Sequence, residues 1–492
     1  MGYNESLRVG FPGMVVNKSI LKEFKDYTNA PSYVIEYLVS TYCSSEDQDE
    51  IEAGKEYIRE LLSENFAKPE MSDFIKMKIR EEGSFRIIDQ ISAKYDEKKD
   101  IYVTNFANFK ANGITMPRSF LKEYEKIIVG GVWAIIELSF KSDSQDIVID
   151  DENISEYSQS PFAITFLSPI QIAAFDIDEF IKQRQYFTSQ DWRYMILRSI
   201  GYEPSELTDR EQLHLIERLV PLIEKNYNLC ELGSRSTGKS FLYKNTSPYS
   251  ILMTGGQTTI ANMFYNMSLR SPGLIARWDC VAFDEVAGLK STDKDLVNGL
   301  KDYMESGSIA RGNNIVTGEA SVVYNGNTDS SPAQMFSTSH LFIPFPQNMR
   351  DDSAFFDRIH YYLPGWESPK LTEKMFTKEN ALSVNIIAEF CHAMRSREYW
   401  YLIENNYKFI GSYFTRDEKA VKKTFSGLVK LLYPDGIITH DEIQELLEYA
   451  IEGRRRVKEQ LKRMNPSEFT TSKMGYEDGL FGIEKIVECR ET

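Results

Sequence analysis

Up to about residue 80, apolar positions recur at helical spacing between charged ones, as in Ile20–Lys25, Tyr33–Val39 and Tyr57–Leu62. That pattern predicts a small helical bundle. From Ser84 the period shortens to alternation with β-branched runs, at Phe85–Ile91, Ile101–Phe106, Val132–Phe140 and Phe162–Leu167. Several short strands are therefore expected to form a small β-barrel or sandwich, with a nucleic-acid-binding OB-like barrel as one option. The acidic, polar stretch from Lys141 to Asn153 reads as an exposed loop between two of them.

Helical spacing resumes near Asp176. Thr208-Asp-Arg-Glu211 fits a capping box, and Gln212, Ile216, Leu219, Val220 and Ile223 then mark one face of a single helix. A short, partly apolar run follows at Tyr227–Leu232, and further strand candidates lie at Ser250–Gly256, Ala276–Phe283, Ser321–Asn327 and His340–Phe345, separated by helical segments. This order is that of an α/β nucleotide-binding layout. After Pro369 the pattern is helical again to about Met464. The expected organisation is a helical domain over 1–80, a β-rich domain over 81–175, an α/β ATPase domain over 176–369, a helical lid over 370–464 and a tail over 465–492. A chain of 492 residues exceeds what one hydrophobic core usually serves.

Composition narrows the class. With 42% hydrophobic and 26% charged residues the chain is an ordinary globular one. Its five cysteines (Cys43, Cys230, Cys280, Cys391 and Cys489) show no C-x-x-C spacing, and its five histidines show no metal-ligand spacing. Neither a disulfide framework nor a zinc site is indicated, and a reducing cytoplasm is the expected compartment. No run of 18 apolar residues and no charged-then-apolar leader is present, so neither a membrane span nor export is expected. Residues Met1–Ser6 formally fit an N-myristoylation pattern, which we read as coincidence. A net charge of −16 argues against coating nucleic acid over the whole surface but leaves room for a locally basic channel.

The chemistry concentrates in two motifs. Gly233, Ser234, Arg235, Ser236, Thr237, Gly238, Lys239 and Ser240 match a phosphate-binding P-loop. In such a loop backbone N–H groups turn inward around the phosphates, the lysine reaches the β- and γ-phosphates, and the hydroxyl ligates Mg²⁺. About forty residues on, Val281-Ala-Phe-Asp284-Glu285 ends an apolar run with two carboxylates. One is suited to Mg²⁺ and the other to the attacking water. ATP and Mg²⁺ are therefore the expected cofactors. Asn327 ends the strand candidate downstream and can orient that water, although Asn-Gly-Asn serves equally as a turn. Arg358, after an aromatic pair, is a candidate arginine finger acting on a neighbour's nucleotide, and Arg416 a candidate second phosphate sensor. For both, a charged surface position is the alternative. Gly307-Ser-Ile-Ala-Arg311-Gly312 can form a hairpin with Arg311 at its tip, where a basic side chain would touch phosphates in a ring pore. An ordinary hairpin is the simpler reading. The basic run Gly453-Arg-Arg-Arg456-Val-Lys458 reads as a solvated helix face.

These motifs, together with Ser250–Thr259, Trp278–Gly288, Lys301–Gly312, Phe355–Arg358, Leu363–Glu367 and Glu452–Leu461, carry a specific resemblance. From near the N-terminus to about residue 464 the sequence resembles the BrxL family, Lon-related AAA+ proteins of bacterial BREX phage-defence systems. That family's AAA+ module in turn resembles the MCM replicative helicases, which form rings around DNA. The resemblance implies a hexameric ring or stacked rings, double-stranded DNA and other BREX proteins as partners, and a DNA-binding N-terminal collar. It also implies Asn327 as sensor 1, Arg358 as the arginine finger, Arg416 as sensor 2 and Arg311 as a pore contact. Full-length relatives continue into a Lon-like protease domain, whereas fewer than thirty residues follow Met464, so protease activity is not expected in this chain.

The leading expectation is a ring-forming ATPase that binds and translocates on DNA. A Lon-related protein unfoldase is the alternative, but the segment Met253–Ile260 lacks the aromatic pore-loop residue that unfoldases need. A nucleotide-gated scaffold on DNA uses the same site and stays open.

Overall fold

The alternating runs after Ser84 form a four-stranded antiparallel sheet of β1 (Ser84–Asp96), β2 (Ile101–Phe106), β3 (Val132–Phe140) and β4 (Phe162–Pro169), in the order β2-β1-β3-β4. The computed structural model describes all residues except 1, 25–29, 46, 125, 130, 142–159, 171–174, 255–258, 268–270, 290–293, 312–313 and 492. These residues form two units: Gly13–Phe175, and Met1–Pro12 together with Asp176–Thr492.

In the first unit, helices α1 (Ser32–Tyr42), α2 (Gln48–Asn65) and α3 (Ser72–Glu82) precede the sheet. Ile75 and Ile79 of α3 pack with Ile87, Ile91, Ile136, Leu138 and Ile164 from one sheet face. The period of two in the strands and the helical period in α3 thus meet in one core. Among the described residues β2 and β4 do not pair with each other, and the sheet is open. The expected acidic loop lies outside the described residues beyond Lys141.

The second unit is built on a five-stranded parallel sheet. Its strands are β5 (Asn228–Gly233), β6 (Ser250–Thr254), β7 (Cys280–Asp284), β10 (Ser321–Asn327) and β11 (Tyr361–Pro364), in the order β11-β5-β10-β7-β6. Between β7 and β10, helix α7 (Lys294–Ser306) leads into the antiparallel hairpin β8 (Ser308–Arg311) and β9 (Asn314–Thr317). Parallel strands covered on both faces are buried along their whole length, and all six residues of β5 are buried, Asn228 and Glu231 included.

Three local expectations change. The run His340–Phe345 is a turn; it holds Pro344, which has no N–H to give a ladder, and the edge strand comes instead from Tyr361–Pro364. The single helix expected before the P-loop strand is broken into α4 (Asp209–Glu217) and a separate short helix, α5 (Val220–Ile223). Pro221 cannot donate back to residue 217, so the chain turns at Arg218. The region after Pro369 is not uniformly helical. β12 (Tyr407–Gly411) precedes the long helices α8 (Thr415–Leu432) and α9 (His440–Met464). The segment beyond Met464 then forms β13 (Met474–Asp478) and β14 (Glu484–Val487), which join β12 in an antiparallel sheet.

The basic run on α9 is a correction of larger consequence. It is buried, not solvated: Arg454 is 1%, Arg456 0% and Lys458 1% exposed. Each charge has an acidic partner from elsewhere in the chain or one turn away, Arg454 with Asp357 and Asp417, Arg456 with Glu452 and Glu491, and Lys458 with Asp417. Gly453 lets α9 approach this close, because a Cβ there would lie 2.0 Å from the Tyr361 ring on β11. Among the described residues no helix is long and apolar enough to cross a membrane.

Candidate functional site

β5, β10 and β7 are neighbours in the parallel sheet, and their C-terminal ends bring Gly233, Asn327 and Asp284 to one edge. Ligands bind at this edge in open α/β sheets. From Gly233 the chain loops over residues 234–238 and enters helix α6 (Lys239–Asn245). Ser236 and Gly238 adopt left-handed conformations, with φ of 64° and 80°. At Gly238 the glycine is doubly required, since a Cβ would also meet the Tyr202 hydroxyl at 2.5 Å. A Cβ at Gly233 would fall 2.2 Å from the backbone of Gly365. Leu371 N–H donates to the Ser236 carbonyl at 2.9 Å, so the loop is held from its outer side as well.

Lys239 is buried, and its ammonium donates to the Ser234 carbonyl at 2.6 Å. Burial pushes its pKa below the ordinary value, with the Arg218 charge adding to the effect and Glu231 and Asp284 opposing it. A phosphate would supply the counter-charge that the neutral loop carbonyls around the ammonium lack. Ser240 Oγ donates to Asp284 Oδ1 at 2.7 Å. Two hard oxygens at that separation, one neutral and one anionic, fit adjacent positions around Mg²⁺. Glu285 is exposed and left-handed at φ 53°, a rare conformation for a residue with a Cβ. Asn327 pairs in register with Gly233, and Thr328 N–H donates to the Gly233 carbonyl at 3.1 Å. Arg235 is exposed at the loop's crest and Thr237 is buried beneath it.

Two residues that periodicity did not single out anchor this loop. Arg218, at the helix break, forms a bidentate pair with Glu231 of β5 at 2.6 and 2.9 Å, with neither side chain exposed. The same guanidinium donates to the Thr237 carbonyl at 2.9 Å and to Ser368 Oγ at 3.2 Å. Burial alone would lower the Arg218 pKa, but the Glu231 carboxylate outweighs it and holds the pKa above its ordinary value. The available signal was Glu231 itself, an acid inside an apolar strand that requires a buried partner. On β10, Asn325 is fully buried opposite Glu231, and its amide has no hydrogen-bond partner among the described residues.

Arg358 and Arg416 lie together, but not at this edge. The Arg358 carbonyl accepts from Asn228 Nδ2 at 2.9 Å, at the start of β5. Five residues of strand, about 17 Å, separate that end from Gly233. Arg416 ion-pairs with Asp357 at 2.6 Å and with Glu305 at 2.8 Å. Arg311 ends β8, with its backbone in register with Asn314; its side chain lies outside the described residues. A further acidic group, Glu367, Glu452 and Glu491, is ion-paired with Arg210 and Arg456.

Such an arrangement has the chemistry to hold phosphates and a divalent cation. Comparison with known sequences points the same way. The ATPase-domain profile described as "Lon-like protease BrxL-like" matches residues 162–475, and the profile for the N-terminal region of the BREX system Lon protease-like protein BrxL matches residues 10–140. The chain is 44% identical over 488 residues to the Lon-like protease BrxL of Bacillus cereus (strain H3081.97), covering 99% of this chain and 71% of that protein. It is 42% identical over 468 residues to the Lon-like protease BrxL of Escherichia coli O9:H4 (strain HS), covering 95% of this chain and 66% of that one.

Proposed function

The chain belongs to the BrxL family of Lon-like proteins, and from that premise we propose that it is a ring-forming ATPase of BREX phage defence that binds and translocates on double-stranded DNA. The supporting observation is the division of charged groups within one subunit. Lys239, Asp284, Glu285 and Asn327 occupy one end of the parallel sheet, while Arg358 and Arg416 occupy the other. A single copy cannot bring its own arginines to its own phosphates, and two adjacent copies in a ring complete one site.

Within that site Lys239 holds the β- and γ-phosphates, with the loop N–H groups and the start of α6 around them. Ser240 and Asp284 would hold Mg²⁺, which when bound draws charge from the phosphate oxygens. Glu285 takes the proton of the attacking water, and Asn327 orients that water. The neighbour's Arg358, with Arg416 as a second sensor, stabilises charge on the transferring group. The β-rich region is the DNA-binding collar, Arg311 a pore contact, and the segment 370–464 the lid. The protein works in the cytoplasm with other BREX proteins.

Measuring ATP hydrolysis and assembly mass together, with and without duplex DNA, tests the proposal. Hydrolysis stimulated by DNA in ring-sized assemblies is expected; a monomer indifferent to DNA sinks the reading. Directional displacement of a DNA-bound block then separates a motor from a scaffold.

A further inference from the structure

Glu305, the penultimate residue of α7, sits where three cations meet. Its carboxylate oxygen lies 2.8 Å from Arg416 and 3.4 Å from Arg358 Nε, and its carbonyl accepts from Lys419 at 3.4 Å. Asp357 completes the frame, pairing with Arg416 at 2.6 Å and with the buried Arg454 at 2.7 Å. Arg454 also spans to Asp417, which fixes the frame to α8 and α9. Arg358 and Arg416 therefore reach the same carboxylate oxygen from two different elements. These groups line a small cleft.

We infer that Glu305 is a positioning residue that sets Arg358 and Arg416 as a pair for the neighbouring subunit's triphosphate. The inference rests on the shared-site reading above. Two guanidinium groups repel each other, and a carboxylate within ion-pair distance of both offsets that repulsion and keeps them together. An incoming triphosphate then meets two pre-oriented cations. Without Glu305 the arginines remain but separate, and small misplacement of such groups costs rate.

Mixed assemblies test this. Glu305→Ala alone is expected to lose hydrolysis on the order of 10²-fold in kcat, with KM for ATP little changed because its own P-loop is intact. Glu305→Gln, which keeps an acceptor oxygen without the charge, falls between. Mixed with Glu285→Gln subunits, which supply intact arginines, Glu305→Ala subunits regain activity; this also demonstrates that they fold. Mixed with Arg358→Ala subunits they do not. Undiminished activity of Glu305→Ala, recovery with Arg358→Ala, or no recovery with Glu285→Gln overturns the inference. Failure of Arg358→Ala to be rescued by Glu285→Gln instead overturns the shared-site reading beneath it.

Discussion

Arg218 joins Glu231 through two hydrogen bonds at 2.6 and 2.9 Å with both side chains wholly buried, and its third arm fixes the Thr237 carbonyl of the P-loop. The pair thus ties β5 to the loop that it delivers. Removing one partner strands the other charge in the interior, which typically costs about 3–5 kcal/mol. Arg218→Ala is therefore expected to lower Tm and to weaken nucleotide binding, although Arg218 lies beneath the loop. Arg218→Met combined with Glu231→Leu removes both charges and should recover most of the Tm but not the affinity, because Thr237 stays unheld. Thermal melts with nucleotide titration check both.

Binding and chemistry should separate at Lys239 and Glu285. Lys239 is buried within the loop, whereas Glu285 is exposed beyond the carboxylate that pairs with Ser240. Lys239→Ala is expected to abolish ATP binding. Glu285→Gln should bind ATP normally while phosphate release falls about 10²- to 10⁴-fold. Ser240→Ala should raise the Mg²⁺ concentration needed for half-maximal hydrolysis. Fluorescent-nucleotide binding and phosphate-release assays distinguish the three.

Gly453 sets two opposing effects against each other. Alanine in mid-helix gains about 1 kcal/mol of helix propensity over glycine. Against this, the added Cβ would lie 2.0 Å from a ring carbon of the fully buried Tyr361, and α9 cannot move off β11 without breaking the Arg454–Asp357 pair and the bond from Arg456 to the Tyr362 carbonyl. The clash wins: Gly453→Ala should destabilise by about 1–3 kcal/mol, read as a fall in denaturation midpoint.

Glu217 gives the fold a pH dependence. Its carboxyl accepts from the Tyr227 hydroxyl at 2.7 Å, but complete burial raises its pKa well above the usual 4.5. The folded state therefore binds a proton that the unfolded chain has released, so this group's contribution to stability declines as pH rises above about 4.5. Glu217→Gln removes that decline. The variant's Tm advantage should grow between about pH 5 and pH 8; an advantage independent of pH contradicts the assignment.

Much of this was legible in the chain. The capping box at Thr208 and Glu211 forms as its spacing implies, because both partners are three residues apart. The strand candidates that became β7 and β10 announced themselves by apolar runs, β5 by a short, partly apolar one, and the P-loop by its glycines. What misled was the basic run at 453–458. Local sequence gives its charge but not the position of Asp357, Asp417 and Glu491, which lie up to about a hundred residues away and convert an apparent surface into an interior. His340–Phe345 misled in the opposite sense, since burial made it apolar without making it a strand.

By itself the sequence determined the chemistry that short spacing can encode: a phosphate loop, two carboxylates at the end of an apolar run, a family, and the period of several of the helices and strands. The tertiary structure alone decided which charges meet. Arg218 finding Glu231, Glu305 gathering Arg358 and Arg416, and those arginines standing at the end of the sheet away from Lys239 all depend on contacts between elements. Buried charges are tolerated only beside their partners, so these pairings are set by packing, not by local pattern.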